Sequence, residues 1–143
     1  MRPVQTAAAV AGVAFLLAGV LGFIPGITTH YDEMTFAGHS GALLLGIFAV
    51  SILHNLVHLL FGVLGLFAAK KSPPLSRAFL VVGGGVYVVL WVYGSAIGEH
   101  TGANFLPINT ADNWLHLGLG AGMILLGVAT TAVERKRSDS PVN

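Results

Sequence analysis

The sequence predicts an all-α fold: a four-transmembrane-helix bundle made of two parallel-repeat helix hairpins, with both termini cytoplasmic. Three observations carry this. The 143 residues are 55% hydrophobic and only 9% charged, whereas a soluble domain carries about 25% charge. The mean hydropathy is +0.80, and four apolar stretches come near or reach the ~20 residues a helix needs to cross a bilayer. All 7 Lys and Arg fall in three places, which four spans bring to one side.

The first span covers about 7–24 and holds no charged residue. Arg2 before an apolar region resembles a signal peptide. The apolar part is longer than an h-region, and Phe23-Ile24-Pro25-Gly26 is no small-residue cleavage site. The second span lies within 34–69, a run without Asp, Glu, Lys or Arg. That run is too long for one straight helix, so the span is placed at about 48–69. The third covers about 78–98 and the fourth about 113–133. Residues 1–137 then form a single membrane domain, and 138–143 a disordered cytoplasmic tail.

The basic residues set the orientation. Arg2, the loop with Lys70, Lys71 and Arg77, and the segment with Arg135, Lys136 and Arg137 share one face. The two other loops hold Asp32, Glu33, Glu99 and Asp112 and no basic residue. The positive-inside rule places the basic side, and with it both termini, in the cytoplasm, so the chain is expected in the cytoplasmic (inner) membrane. In the first outer loop, about 25–47, the apolar half from Gly41 to Phe48 is expected to extend helix 2 or to lie on the membrane as a short helix. In the second, about 99–112, the apolar Phe105-Leu-Pro-Ile108 is expected to fold back onto the protein.

Composition also excludes functions. With no cysteine, a disulfide scaffold, a thiolate metal site and a cysteine nucleophile are out. A net charge of +1 argues against nucleic acid as a partner. The expected partners are the lipid bilayer and other membrane proteins, including copies of the chain itself.

Sliding the chain by 58 residues aligns Asn55-Leu-Val-His58-Leu59 with Asn113-Trp-Leu-His116-Leu117, and Gly62 with Gly120. Helices 2 and 4 run the same way, so two hairpins related by an axis along the membrane normal are expected. Residues three apart share a helix face. Asn55 and His58 therefore form one polar pair and Asn113 and His116 another. At 1.5 Å per residue, His58 lies roughly 18 Å in from Lys70 and His116 roughly 21 Å in from Thr130.

The chain resembles a family of small four-helix integral membrane proteins, mostly actinobacterial, classed as a domain of unknown function. The resemblance rests on Gly22-Phe-Ile-Pro-Gly26, Leu45-Gly-Ile-Phe48, His54-Asn-Leu-Val-His-Leu59 with Gly62, and Phe105-Leu-Pro-Ile-Asn109 leading into Asp112-Asn-Trp-Leu-His-Leu117. It covers nearly all of the chain but the tail. It implies the four-helix topology and an actinobacterial cytoplasmic membrane, and it implies no activity.

The histidines are the sharpest chemical feature. His54 and His58 are four apart on one helix, and His116 is a third imidazole at similar depth. Three imidazoles with Asp112 or Glu99 nearby suit zinc, copper or iron. The plainer reading is packing: buried polar side chains hydrogen-bond across membrane helices, and an Asn beside each His is a ready partner. The same Asn residues would serve as supports that orient metal ligands. A b-type haem clamped by His58 and His116, or by His54 and His116, is a further option. So is conduction of protons or a small solute, since an intramembrane ionisable residue marks a functional site by default. That relay lacks deep charges and would have to pass Tyr87 and Thr130. Gly83-Gly84-Gly85 and Gly118-x-x-x-Gly122 read as close helix packing within the bundle. No strand, Lys or Ser/Thr completes a nucleotide motif around them. Trp91, Tyr93 and Trp114 read as interfacial anchors. Ser51, Ser95 and His54 are too scattered for a nucleophile–base arrangement. The expectation is a non-enzymatic accessory or scaffold protein without a cofactor, with a His-ligated metal or haem b protein and a small transporter as alternatives.

Overall fold

A computed structural model describes residues 1–138. In chain order it has α1 (Pro3–Leu21), β1 (Thr28–Thr29), a 3-10 turn (Tyr31–Glu33), β2 (Leu43–Leu44), β3 (Phe48–Ala49), α2 (Ile52–Lys71), α3 (Pro73–Ala96) and α4 (Thr110–Ser138). Among the described residues, these four helices are each long and apolar enough to cross a membrane. This is the build of a multi-pass membrane protein. The helix α4 runs through Ser138; the rest of the expected disordered tail, 139–143, lies outside the described residues.

Local chemistry sets the helix ends. Pro3 and Pro73 stand in the first turns of α1 and α3, where the missing N–H costs nothing and φ is already helical. The Ser51 hydroxyl accepts the His54 N–H at 3.1 Å and starts α2. Ser72, in extended conformation, ends α2 and caps α3 by accepting the Leu75 N–H at 3.3 Å. The third helix therefore begins at Pro73, earlier than the span at 78, because a cap and proline outrank hydropathy as a start signal. At the same end of the bundle, Gln5 Nε2 donates to the Ala69 carbonyl at 2.8 Å.

The fold is not purely α. The apolar half of the first long loop is not helical, and α2 starts at Ile52 rather than 48. Thr28–Thr29, Leu43–Leu44 and Phe48–Ala49 form a small antiparallel sheet in the order β1-β2-β3. The cause is the turn between β2 and β3: Leu45 and Gly46 both have positive φ, 55° and 71°. Glycine adopts that region without penalty, and a left-handed pair cannot sit inside a right-handed helix.

The helices pack as two hairpins, α1 on α2 and α3 on α4. Each rests on glycine. A Cβ on Gly12 would lie 3.0 Å from the Gly62 carbonyl oxygen, and one on Gly84 would lie 2.7 Å from that of Gly120. Backbones approach this closely only where side chains are absent. Gly118 and Gly122 meet nothing within 4 Å, so the expected internal use of this pair falls instead to Gly84 and Gly120. The core joins both hairpins through Val4, Ala8, Phe15, Leu80, Tyr87 and Met123. Outward positions such as Val10, Leu60, Val82, Val89 and Leu125 are apolar and exposed, as helices facing lipid require.

Candidate metal centre

The loop end of the bundle gathers the histidines. His54 and His58 project from one face of α2, four residues apart, with ring centroids 4.6 Å apart. His116 comes from α4, its centroid 6.1 Å from that of His54. All three are buried, at 6%, 8% and 2% exposure. Each offers a ring nitrogen, and these nitrogens lie within 4.8 Å of one another. The Nδ1 atoms of all three are buried without a hydrogen-bond partner. Leaving such an atom unpaired costs about 1–3 kcal/mol, so three in one place call for an explanation.

A cavity of about 20 Å³ is lined by the three histidines together with Val57, Tyr87, Leu90, Leu106 and Ile108. A space of about 10–15 Å³ already admits one water-sized body. Tyr87 packs edge-on to His116 with centroids 5.3 Å apart, and Phe15 lies 6.0 Å from His58. Phe15 and Tyr87 stack on each other at 5.1 Å. The rings thus form a fixed wall beneath the histidines. Above them, Leu106 and Ile108 of the second outer loop line the same cavity.

The two carboxylates expected near the site are used otherwise. Asp112 Oδ2 accepts the N–H groups of Asn109 and Ala49, each at 3.0 Å. The Asn109 side chain in turn accepts the Asp112 N–H at 2.9 Å, a reciprocal cap on α4. Asp112 therefore ties β3 to α4 and places His116, which lies one turn further along the same face. Glu99 Oε1 accepts from the Thr110 N–H and hydroxyl, both at 2.8 Å.

The asparagines do not sit against the imidazoles. Asn55 is fully buried, and its amide occupies the space a side chain on Gly22 would fill. It reaches Met34 Sδ at 4.0 Å. Asn113 lies in the same way against Gly94 of α3. The glycines that accept them, Gly22 just past the end of α1 and Gly94 on α3, lie outside α2 and α4, so spacing within those helices carried no sign of them. The Tyr93 hydroxyl, read as an interfacial anchor, donates to the Ala103 carbonyl and holds the second loop. Trp114 is exposed at 68%. Pro107 and Ile108 are buried, and the lid they form over His54 had no signal in the sequence beyond the apolar character of 105–108.

A family model described as a domain of unknown function (DUF4383) matches residues 5–129. The chain belongs to that family. The matched DUF4383 region includes all four helices in whole or part and every residue of the histidine cluster. No curated protein and no solved structure matches the chain.

Proposed function

We propose that this chain is a small non-enzymatic membrane subunit, of accessory or scaffold type, whose bundle binds one transition-metal ion between His54, His58 and His116. One observation carries the reading: each of the three buried histidines offers a ring nitrogen within 4.8 Å of the others, and the Nδ1 of each is buried without a hydrogen-bond partner. A single ion would satisfy all three. Neutral imidazole suits zinc, copper, iron and nickel, and His-x-x-x-His on one helix with a third histidine elsewhere is a known way of holding zinc. Ligand nitrogens stand about 2.0–2.1 Å from zinc, so the rings would draw slightly inward.

Room argues against haem b. His58 with His116, or His54 with His116, would need a flat macrocycle between them, and the cavity of about 20 Å³ is walled by packed side chains. Conduction is also disfavoured. Below His58 the axis of the bundle is filled by Phe15, Phe61 and Tyr87 in ring contact. The plain packing reading leaves the three Nδ1 atoms unexplained.

The internal repeat supports a designed pair of hairpins. An offset of 58 residues relates His58 to His116 and Gly62 to Gly120. An offset of 72 relates Phe15 to Tyr87, Gly12 to Gly84 and Gly22 to Gly94. Each set makes the same contacts in its own hairpin: ring on histidine, glycine on glycine, asparagine on glycine. A cytoplasmic-membrane location with both termini inside rests on the basic residues. A membrane-impermeant label that reached the C-terminus from outside would contradict it. Contacts with other membrane proteins or a second copy have an open place at Gly118 and Gly122.

Co²⁺ titration of the purified, detergent-solubilised protein tests the metal reading. The expected result is a saturable visible spectrum of low-symmetry, nitrogen-ligated Co²⁺ at one ion per chain, displaced by Zn²⁺. A protein that produces no such spectrum at saturating Co²⁺ has no centre of this kind.

A further inference from the structure

Two grooves on the membrane-facing surface stand in equivalent places. One lies between α1 and α4, holds about 620 Å³, and is lined on α1 by positions 3, 6, 7, 10, 11 and 14. The offset of 72 carries these to 75, 78, 79, 82, 83 and 86, and all six line a groove between α3 and α2. The offset of 58 likewise carries 61, 64 and 68 on α2 to 119, 122 and 126 on α4, which line the first groove. The two are filled differently. Between α2 and α3 the chain supplies its own bulk, such as Phe79 and Leu64, and about 400 Å³ remains. The equivalent residues between α1 and α4 are Ala7 and Gly122, and Gly118 stands where α2 has Leu60. The fold does not require this emptiness. A Cβ at Gly118 or Gly122 would meet nothing within 4 Å, and glycine is a poor helix former. The open wall therefore suits a body from outside the bundle.

Polarity and length say what that body is. The lining is apolar except for Thr6 and Thr130, and both stand toward the basic end of the bundle. Arg2, directly before Pro3, is exposed. Arg135, Lys136 and Arg137 follow Thr130 in the sequence, with one acid, Glu134, beside them. Apolar walls, then hydroxyls, then positive charge repeat the order of an acyl chain, its ester and an anionic headgroup. From Pro3 to Ala14 the groove runs roughly 17 Å at 1.5 Å per residue. That is about half of a hydrocarbon core of ~30 Å, the depth of one leaflet. A helix of a second copy is the other candidate for Gly118 and Gly122. It would cross the whole core, whereas the groove stops half-way.

We propose that the groove between α1 and α4 binds one anionic phospholipid from the leaflet that meets the basic end. An acyl chain lies along Ala7, Ala11, Gly118 and Gly122, and the headgroup phosphate meets Arg2. The lipid seals the seam between the two hairpins on this side, as the chain's own phenylalanines do between α2 and α3. The site is independent of the histidine centre.

Native mass spectrometry of the full chain in detergent tests it, with added phosphatidylglycerol or phosphatidylcholine of identical acyl chains. The wild type is expected to hold one phosphatidylglycerol per chain, more tightly than phosphatidylcholine by about fivefold or more, fivefold being the worth of one basic residue near an anionic surface. Arg2→Gln is expected to weaken phosphatidylglycerol about fivefold and to leave phosphatidylcholine unchanged. Gly118→Leu/Gly122→Leu gives α4 the side chains that α2 carries and fills the groove. It is expected to lose the site for both lipids while keeping the wild-type circular dichroism, since leucine favours the helix. Gly85→Leu, at an open glycine on α3, is expected to bind lipid as the wild type does. Equal affinity for the two lipids, or wild-type lipid binding by the leucine variant, overturns the proposal. So does a wild-type dimer that Gly118→Leu/Gly122→Leu converts to monomer, because the groove then belongs to a second copy.

Discussion

Replacing His116 by Ala is expected to abolish the bound ion while leaving a folded bundle. The proposed centre would have three protein ligands, two from α2 and one from α4. Losing any one removes a third of the coordination and leaves a cavity lined on that side by alanine and apolar groups. Removing a mere supporting partner costs about 10–100-fold in metal affinity, so loss of a ligand is expected to exceed that range. His54→Ala and His58→Ala are expected to behave alike. The alternative, that these histidines only join helices by hydrogen bonds, makes a different forecast. Such bonds average about 0.6 kcal/mol and reach about 1.7, so each variant would lose modest stability and no ligand would be lost, because none was bound. Linkage separates the two further. An ion at 100 times its dissociation constant stabilises the folded state by about 2.7 kcal/mol. Thermal unfolding of the wild type should therefore shift upward with added Zn²⁺, and that of His116→Ala should not. In the double variant His58→Ala/His116→Ala, binding should fall no further than in either single one, since residues that share one interaction are not additive. A full second loss on combination would mean that the two rings serve separate sites.

The second large effect is steric. Gly84→Val should destabilise the α3–α4 hairpin strongly, and Gly85→Val should not. A Cβ at Gly84 would lie 2.7 Å from the Gly120 carbonyl oxygen and 2.8 Å from Ile124 Cγ1. The first of these is backbone, so the helices themselves would have to separate. Overpacking costs about 1–3 kcal/mol where side chains can shift, and here the upper end or more is expected. At Gly85 a Cβ meets nothing within 4 Å, and valine is a better helix former than glycine by a few tenths of a kcal/mol. The neighbouring position thus controls for helix propensity and for added bulk. Separation of α3 from α4 would also move His116, so Gly84→Val should weaken metal binding although it touches no ligand. Unfolding in detergent with increasing denaturant, read by circular dichroism, measures the difference. Equal stability of the two variants would remove the close glycine contact from the account.

Some of this architecture was legible in the sequence. The four apolar stretches required four helices, and the Asn-x-x-His-Leu pair placed two histidines at similar depth on parallel helices. His54 joined them because a separation of four residues on a helix leaves no other face. What was not legible depended on partners distant along the chain. The sheet comes from a left-handed turn at Leu45 and Gly46, inside a segment whose composition reads as helix. Its strands are two residues each, too short for an alternating pattern to show. Asn55 and Asn113 were read as partners of the adjacent histidines, but Gly22, just past the end of α1, and Gly94 of α3 receive them. The Ser72-Pro73 start of α3 was present as a signal, and hydropathy alone concealed it.

The most direct test of the central claim is X-ray absorption at the metal edge of protein purified from membranes and loaded with one equivalent of Zn²⁺. The account predicts a first shell of nitrogen at about 2.0–2.1 Å, with the outer-shell scattering of three imidazoles. That pattern should vanish in His54→Ala/His58→Ala/His116→Ala under the same loading. A shell of oxygen alone, or an imidazole signal that survives the triple substitution unchanged, would contradict it.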